Sequence, residues 1–173
     1  MKEIIYNYDK LNDKDIDEVV IRLKAVIINS NNELMLGYCD KTYQFPGGHL
    51  EENESLEEGL IREEQEETGI DISNHELKPF VKTIYYTKNY RNSGKSRKNE
   101  IYFYRIDTDE KPNEEKMNLD KYEKENNYTL KIIPLKDVEN VLLDSIKDKE
   151  INSIIAEEMI AVLNAIKEET WEK

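Results

Sequence analysis

Apolar residues fall into short runs separated by polar turns, and their spacing predicts the elements of the chain. Ile4 to Tyr8 reads as a short strand, and polar Asn12 to Glu18 as a loop. Val19 to Ile28 is rich in β-branched residues and almost continuously apolar from Ala25, the pattern of a strand buried on both faces. Ser30-Asn31-Asn32 is a turn signal, and Leu34 to Tyr38 reads as the returning strand of a hairpin. A loop over Asp40 to Thr42 leads into Tyr43-Gln44-Phe45-Pro46. Beyond a central polar stretch, Leu77 to Thr87, Glu100 to Ile106 and Tyr128 to Ile133 read as further strands, and Lys136 to Ser145 as a short helix. Asp107 to Asn127 reads as a long surface loop with a helical turn. From Ile151 to Trp171, apolar residues recur at Ile151, Ile155, Met159, Val162 and Ile166, which is helical spacing with one buried face. That face is expected to pack on the sheet, with a homodimer surface as the alternative.

The central polar stretch holds nine carboxylates between Glu51 and Glu67, with Arg62 the only base among them. Ser55 fits a helix N-cap, with Glu58 placed to complete a capping box, and Gly69 fits the C-terminal stop. On the helix between them, Glu63, Glu66 and Glu67 share one face. Like charges at that spacing repel, so the arrangement costs stability. A hard cation with oxygen ligands, such as Mg²⁺, turns the cost into a binding site. A helix that is merely solvated would more naturally carry lysines four residues after its glutamates, and this one has almost none.

Gly48, Glu54, Arg62, Glu63, Glu66, Glu67, Gly69 and Ile70 fall on the pattern of the Nudix box, and the Phe45-Pro46-Gly47-Gly48 lead-in is also similar to the family. The chain thus resembles the Nudix hydrolases from Gly48 to Ile70. One position departs: Glu64 stands where the family has an aliphatic residue. Either Glu64 reaches a polar partner, or the helix edge there is unusually open. The resemblance implies an α/β (α+β) fold, an α/β/α sandwich around a mixed sheet with the box helix beside it. It implies Mg²⁺ or Mn²⁺ bound by Glu66 and Glu67, with Glu63 as a third ligand or as the group that positions or activates water. The Gly47 carbonyl is a metal ligand by the same likeness. Glu54 and Arg62, at opposite ends of the segment, are expected to form an ion pair that braces the loop against the helix. One further acid is expected from outside the box. Glu100, at a strand start, and Glu123 and Glu125, before a strand, are the candidates.

Length and charge narrow the rest. The 173 residues suit one domain, residues 1–173, with a C-terminal helix at about 150–171. A net charge of −13 argues against a nucleic-acid polymer as partner, while leaving a small nucleotide substrate open because a metal screens its phosphates. Cys39 is the single cysteine, so no disulfide framework exists within the chain. No signal core or membrane-length apolar run is seen, so a cytoplasmic location is expected. Against the acidic background, Lys88, Arg91, Lys95, Arg97 and Lys98 lie in a segment with no acid from Thr87 to Asn99. It is either a solvated hairpin tip or a patch that meets substrate phosphates. The chemistry these groups suit is metal-dependent hydrolysis of a diphosphate linkage in a nucleoside diphosphate joined to another moiety, such as a nucleoside triphosphate. The alternative is a nucleotide-binding regulator of the same fold without turnover.

Overall fold

The computed structural model describes residues 1–147 and 153–171. Its strands are β1 (Lys2–Tyr6), β2 (Glu18–Ile28), β3 (Glu33–Cys39), β4 (Thr42–Gln44), β5 (Pro79–Thr87), β6 (Arg97–Asp107) and β7 (Thr129–Pro134). The helices are α1 (Leu56–Thr68), a single short turn α2 (Lys121–Glu125), α3 (Leu135–Ser145) and α4 (Ser153–Trp171). Ile151, expected on the last helix, lies outside the described residues.

The strands form one mixed sheet in the order β1-β5-β6-β2-β3-β4, with β7 paired to β3. β2 runs parallel to β6 along its whole length. Strand alternation gives β2 two buried faces, as its apolar run predicts. Leu23, Ala25 and Ile27 pack with Leu60 of α1 and with Ile70, Tyr104 and Ile106. Val26 and Ile28 point the other way, into a cluster with Val138 and Leu142 of α3 and Met159 and Val162 of α4. The result is the expected α/β/α sandwich, and the apolar stripe of α4 covers the sheet.

Several boundaries differ from the expected ones. β1 ends at Tyr6 rather than Tyr8, and β5 begins at Pro79. β6 starts at Arg97, because parallel pairing with Glu18 to Val20 of β2 extends the ladder into residues whose polarity reads as loop. The β2–β3 hairpin is also shorter than the pattern suggests. Only Ile27↔Met35 and Ile28↔Leu34 pair, after which that edge of β3 pairs with β4 from Gly37, while its other edge pairs with β7 from Glu33 to Tyr38. The vacated edge of β2 is taken by the loop after β4. The Ala25 N–H donates to the Pro46 carbonyl (3.0 Å), the Leu23 N–H to the Gly48 carbonyl (2.9 Å), and the Leu50 N–H to the Ile21 carbonyl (3.1 Å).

The long segment between β6 and β7 is pinned to the end of α1. The Asn113 N–H donates to the Thr68 carbonyl, and the Asn118 N–H to the Glu66 carbonyl, each at 2.9 Å. These bonds satisfy carbonyls that a helix C-terminus leaves without partners.

Candidate active site

Local sequence places α1. The Ser55 hydroxyl accepts from the Glu58 N–H (3.2 Å) and the Glu58 carboxylate accepts from the Ser55 N–H (2.8 Å), the expected reciprocal cap. At the other end Gly69 adopts a left-handed conformation, and its N–H closes on the Gln65 carbonyl. The Arg62 guanidinium forks onto Glu54, with Nε to Oε1 at 2.7 Å and Nη2 to Oε2 at 3.0 Å. Nη2 also donates to the His49 carbonyl (2.9 Å), so one side chain ties loop, helix and Glu54 together. The bidentate pair, with an added bond from Arg62 Nη1 to Glu63 Oε1 at 2.7 Å, raises the affinity of the guanidinium for its proton. It also holds the Glu54 carboxyl below its ordinary value.

The loop between Phe45 and Leu50 lies directly against β2. Gly47 has φ of 115°, and a Cβ there would stand 2.2 Å from the Leu23 carbonyl oxygen, so glycine is required for this approach. At Gly48 the missing side chain leaves space for the Glu63 carboxylate, whose Oε2 would lie 2.4 Å from a Cβ. The Gly47 N–H donates to Glu67 Oε2 (2.9 Å), and the buried Tyr128 hydroxyl donates to the same oxygen (2.9 Å). The Gly47 carbonyl accepts from Lys24 Nζ. Burial raises Glu67 to about 8 against the opposing pull of Lys24 and the Gly47 N–H, and the adjacent Glu123 adds to the rise. Burial likewise lifts Glu63, with Arg62 pulling the other way.

The box glutamates therefore differ in setting. Glu67 points inward at Gly47, Glu63 is shared between Arg62 and the space over Gly48, and Glu66 is the most open, with Oε2 3.5 Å from Arg62 Nη1. Among the described residues no three acid, histidine or cysteine side chains already surround one point. The donors at hand are nevertheless all oxygens: the Gly47 carbonyl and the carboxylates of Glu63, Glu66 and Glu67. That set suits a hard divalent cation. The Lys24 ammonium on the Gly47 carbonyl shows that this point accepts positive charge, so the residues fit such an ion.

Of the acids from outside the box, Glu100 and Glu123 are treated differently. Glu100 is held by Lys82 (2.8 Å) and Lys98 (3.0 Å), and the Tyr102 hydroxyl donates to it (3.3 Å). Burial acts to raise its carboxyl, but the two lysines prevail and hold it low. Glu123 caps its own helix by accepting from the Asp120 N–H (2.7 Å), and it also stands beside Glu67. Glu125 pairs at 3.7 Å with Lys121 on the surface.

Glu64 meets neither expectation for a departure from the box. It is wholly buried rather than at an open edge, and neither carboxyl oxygen has a hydrogen-bond partner among the described residues. The position keeps the inward aim of the aliphatic residue it replaces, with Leu60 and Thr68 also wholly buried a turn before and after.

Lys24 and Tyr128 were not candidates from the sequence. Lys24 lies on β2 and Tyr128 immediately before β7, and nothing nearby in sequence marks either. Arg22 is a third such group. It is half-buried, makes no ion pair among the described residues, and donates from Nε to His49 Nε2 (3.1 Å). Burial lowers it, as does the charge of Arg97 and Arg91, while Tyr90 and Glu158 oppose the shift. His49 is lowered by burial and by Arg22, Lys24 and Arg97, which fits the neutral ring that accepts from Arg22. In the basic loop, Arg97 lies over the Tyr90 ring at 3.9 Å and pairs with Glu18, while Lys98 pairs with Asp13 and Glu100. Much of that basic charge is thus neutralised locally, and Lys95 stays exposed at the tip.

These features can be set beside known proteins. A family model described as the NUDIX domain matches residues 22–153, and the chain belongs to that family. A 31-residue segment is 58% identical to an 8-oxo-dGTP diphosphatase of Proteus vulgaris, covering 18% of this chain and 28% of that protein. A Caenorhabditis elegans Ap4A hydrolase in a binary complex shares the fold, with TM-score 0.55 and 17% identity over 89% of this chain and 99% of that one. The Deinococcus radiodurans protein DR0079 has TM-score 0.52 and 16% identity, over 80% of this chain and 78% of that one. The Nudix family generally uses divalent metals. No described helix is long and apolar enough to cross a membrane.

Proposed function

We infer that this chain is a Nudix pyrophosphohydrolase, one domain that cleaves a diphosphate linkage in a nucleoside triphosphate. The supporting observation is the Arg62–Glu54 brace, which ties the loop at His49 to the helix that carries Glu63, Glu66 and Glu67. Gly47, Glu63, Glu66 and Glu67 would hold Mg²⁺ or Mn²⁺, with Glu123 preferred to Glu100 as the outside acid because it stands beside Glu67. A cation held there would supply positive charge to offset the phosphates and would lower the pKa of a water bound to it. Arg62 and Glu54 keep the loop and helix in fixed relation, so the ligands do not reorganise during the reaction. Tyr128 and the Gly47 N–H orient Glu67. Glu63 is a third ligand or, alternatively, the group that positions or activates the attacking water.

Arg22, Arg97 and Tyr90 form a cationic and aromatic wall next to His49. Arginine suits phosphate oxygens, and a tyrosine ring suits a base. The Proteus vulgaris relative is named for an oxidised deoxyguanosine triphosphate, and the Caenorhabditis elegans neighbour for a dinucleoside polyphosphate. Both have nucleoside polyphosphate substrates, which favours that class here. The test is a hydrolysis panel of nucleoside triphosphates, oxidised deoxyguanosine triphosphate, nucleotide sugars, ADP-ribose and dinucleoside polyphosphates, each with Mg²⁺, Mn²⁺ or chelator. Metal-dependent cleavage of a triphosphate between phosphates is expected. Tight binding of a nucleotide with no cleavage of any compound would replace the enzyme with a binding protein.

A further inference from the structure

Asparagine is depleted in strands, because its amide competes for backbone hydrogen bonds, so one in the body of a sheet needs a reason. Asn99 stands on β6, between β5 and β2, and is half-buried. Its side chain makes no hydrogen bond among the described residues. Strand register shows what surrounds it. Tyr85 of β5 and Val20 of β2 stand on either side of Asn99 in one row across the sheet. Along β6 on the same face, exposure rises from Phe103 (1%) through Ile101 (7%) to the half-buried Asn99. Phe103 and Ile101 belong to the cluster under α3 and α4, so Asn99 marks the place where the helical cover ends. Tyr85 is stacked on Tyr6, with ring centroids 4.5 Å apart and planes within 9°. A single unpartnered amide thus lies on a floor made by Val20 and Tyr85. Small-ligand pockets have this composition, an apolar lining with a few placed polar groups.

Neighbouring groups connect this floor to the box. The next row holds Thr83, Ile101 and Arg22. Arg22 shares the face of Asn99, and strand spacing and rise put their Cα atoms about 8 Å apart. His49 bridges the outer side of Arg22: its ring accepts from Arg22 Nε (3.1 Å), and its carbonyl accepts from Arg62 Nη2 (2.9 Å). The Nη atoms of Arg22 have no acceptor among the described residues, which leaves them for phosphate oxygens. Arg97, two residues before Asn99 on the same face, bounds the far side and lies over Tyr90. From the loop at His49 across β2 to β6 is two strand spacings, about 10 Å, comparable to the reach from a phosphate chain to the base of one nucleotide. An asparagine amide offers a donor beside an acceptor in one plane, the complement of a base edge that carries the same pair.

We propose that Asn99 is the specificity-determining residue of the nucleotide site: its amide pairs with the donor–acceptor edge of a base seated on Val20 and Tyr85, while Arg22, held by His49, takes a phosphate. This rests on the pyrophosphohydrolase assignment for the substrate class, but its test reads binding and not turnover. Dissociation constants are measured by calorimetry with Mg²⁺ for the wild-type chain, Asn99→Leu, Asn99→Ser and Arg22→Gln. The ligands are uncleavable imido-bridged analogues of adenosine, guanosine, cytidine and uridine triphosphates, and inorganic tripolyphosphate, which has no base. The wild-type chain is expected to prefer one base. Asn99→Leu should weaken that nucleotide about five- to a hundred-fold, the range of a bidentate contact to a base edge. In both Asn99 variants the preference among bases should collapse, while tripolyphosphate binds as it does to the wild type. Arg22→Gln should weaken nucleotides and tripolyphosphate alike. Should Asn99→Leu fail to fold, Asn99→Ser carries the comparison alone. An unchanged base preference in the folded Asn99 variants would overturn the proposal. An equal loss of tripolyphosphate affinity would also overturn it, by making Asn99 merely structural. A wild-type chain that binds no nucleotide, or binds all bases equally, would overturn it as well, and undiminished tripolyphosphate affinity in Arg22→Gln would overturn the part given to Arg22. Base discrimination that depends on Asn99, with no cleavage in the substrate panel, would defeat the enzyme assignment and leave this proposal standing.

Discussion

Two glutamates are buried on opposite sides of the sheet, and their surroundings differ. Glu158 on α4 receives a 2.6 Å hydrogen bond from the Thr83 hydroxyl, and Tyr85, Lys24 and Arg22 also favour its charged form. Glu64 on α1 receives no hydrogen bond among the described residues. Burial raises both carboxyls above the ordinary glutamate value of 4.5. Only Glu158 has donors built around it. Burial is thus common to both, and the provision of donors separates them. A buried acid that the fold satisfies offsets part of its desolvation through its donors, and one left without donors carries that cost in full.

That contrast predicts that changes on the α1 side damage chemistry, and that changes on the α4 side alter stability. Glu67→Gln gives the largest effect. It should lower kcat on the order of a hundred-fold or more, comparable to the loss of one preorganised electrostatic group. Circular dichroism should show an intact fold, and wild-type turnover would remove Glu67 from the mechanism.

Arg62→Lys comes next, because lysine keeps the charge and loses the fork. Loss of a charged hydrogen bond predicts a stability decrease of about 1.5–3 kcal/mol in urea unfolding, together with reduced kcat. If neither changes, the brace is not holding loop to helix.

Glu158→Gln tests the other side of the sheet, and it should change stability more than turnover, although it also withdraws an anion from Lys24 and Arg22. The sign of its pH effect follows from the raised carboxyl. A group that binds its proton more tightly in the folded state contributes stability below its unfolded value, near 4.5, and loses that contribution as pH rises through the folded value. The contribution of Glu158 to stability should thus fall as pH climbs from about 4.5. Glu158→Gln should show a flatter profile in thermal melts over the same range. Parallel profiles would mean that Glu158 does not titrate as its burial requires.

The smallest effect is expected in the basic loop. Replacing Lys95, Arg97 and Lys98 together by serine should raise KM for a polyphosphate a few-fold and leave kcat nearly unchanged. Since Arg97 and Lys98 already pair with Glu18, Asp13 and Glu100, Lys95→Ser alone should change KM very little. An unchanged KM in the triple variant would leave the loop as a solvated tip.

Much of this site is legible in the order of residues, and the reason is locality. The cap at Ser55, the stop at Gly69 and the shared face of Glu63, Glu66 and Glu67 all depend on residues within one or two turns. The Arg62–Glu54 pair spans a loop and a helix start, and is legible through the family pattern. Glu64 shows the boundary of such inference. Its identity marks a departure, but either of two environments fitted it, and the packing of α1 on β2 produced a third. Glu100 and Glu123 were equivalent as sequence; Lys82 and Lys98 occupy the first, and the short helix α2 carries the second to Glu67.

The sequence by itself determined the box helix, its caps and its charges, because helix formation and capping rest on neighbours a few residues apart. It also determined that β2 would be buried on both faces, because an apolar run has no solvent side. Tertiary structure alone decided that β3 leaves β2 after two pairs, and that Gly47 lies along the freed edge. It also brought Lys24, Glu67 and Tyr128 together there. Those contacts join segments far apart in the chain, and strand register and sheet order, which no local spacing encodes, set which side chains meet.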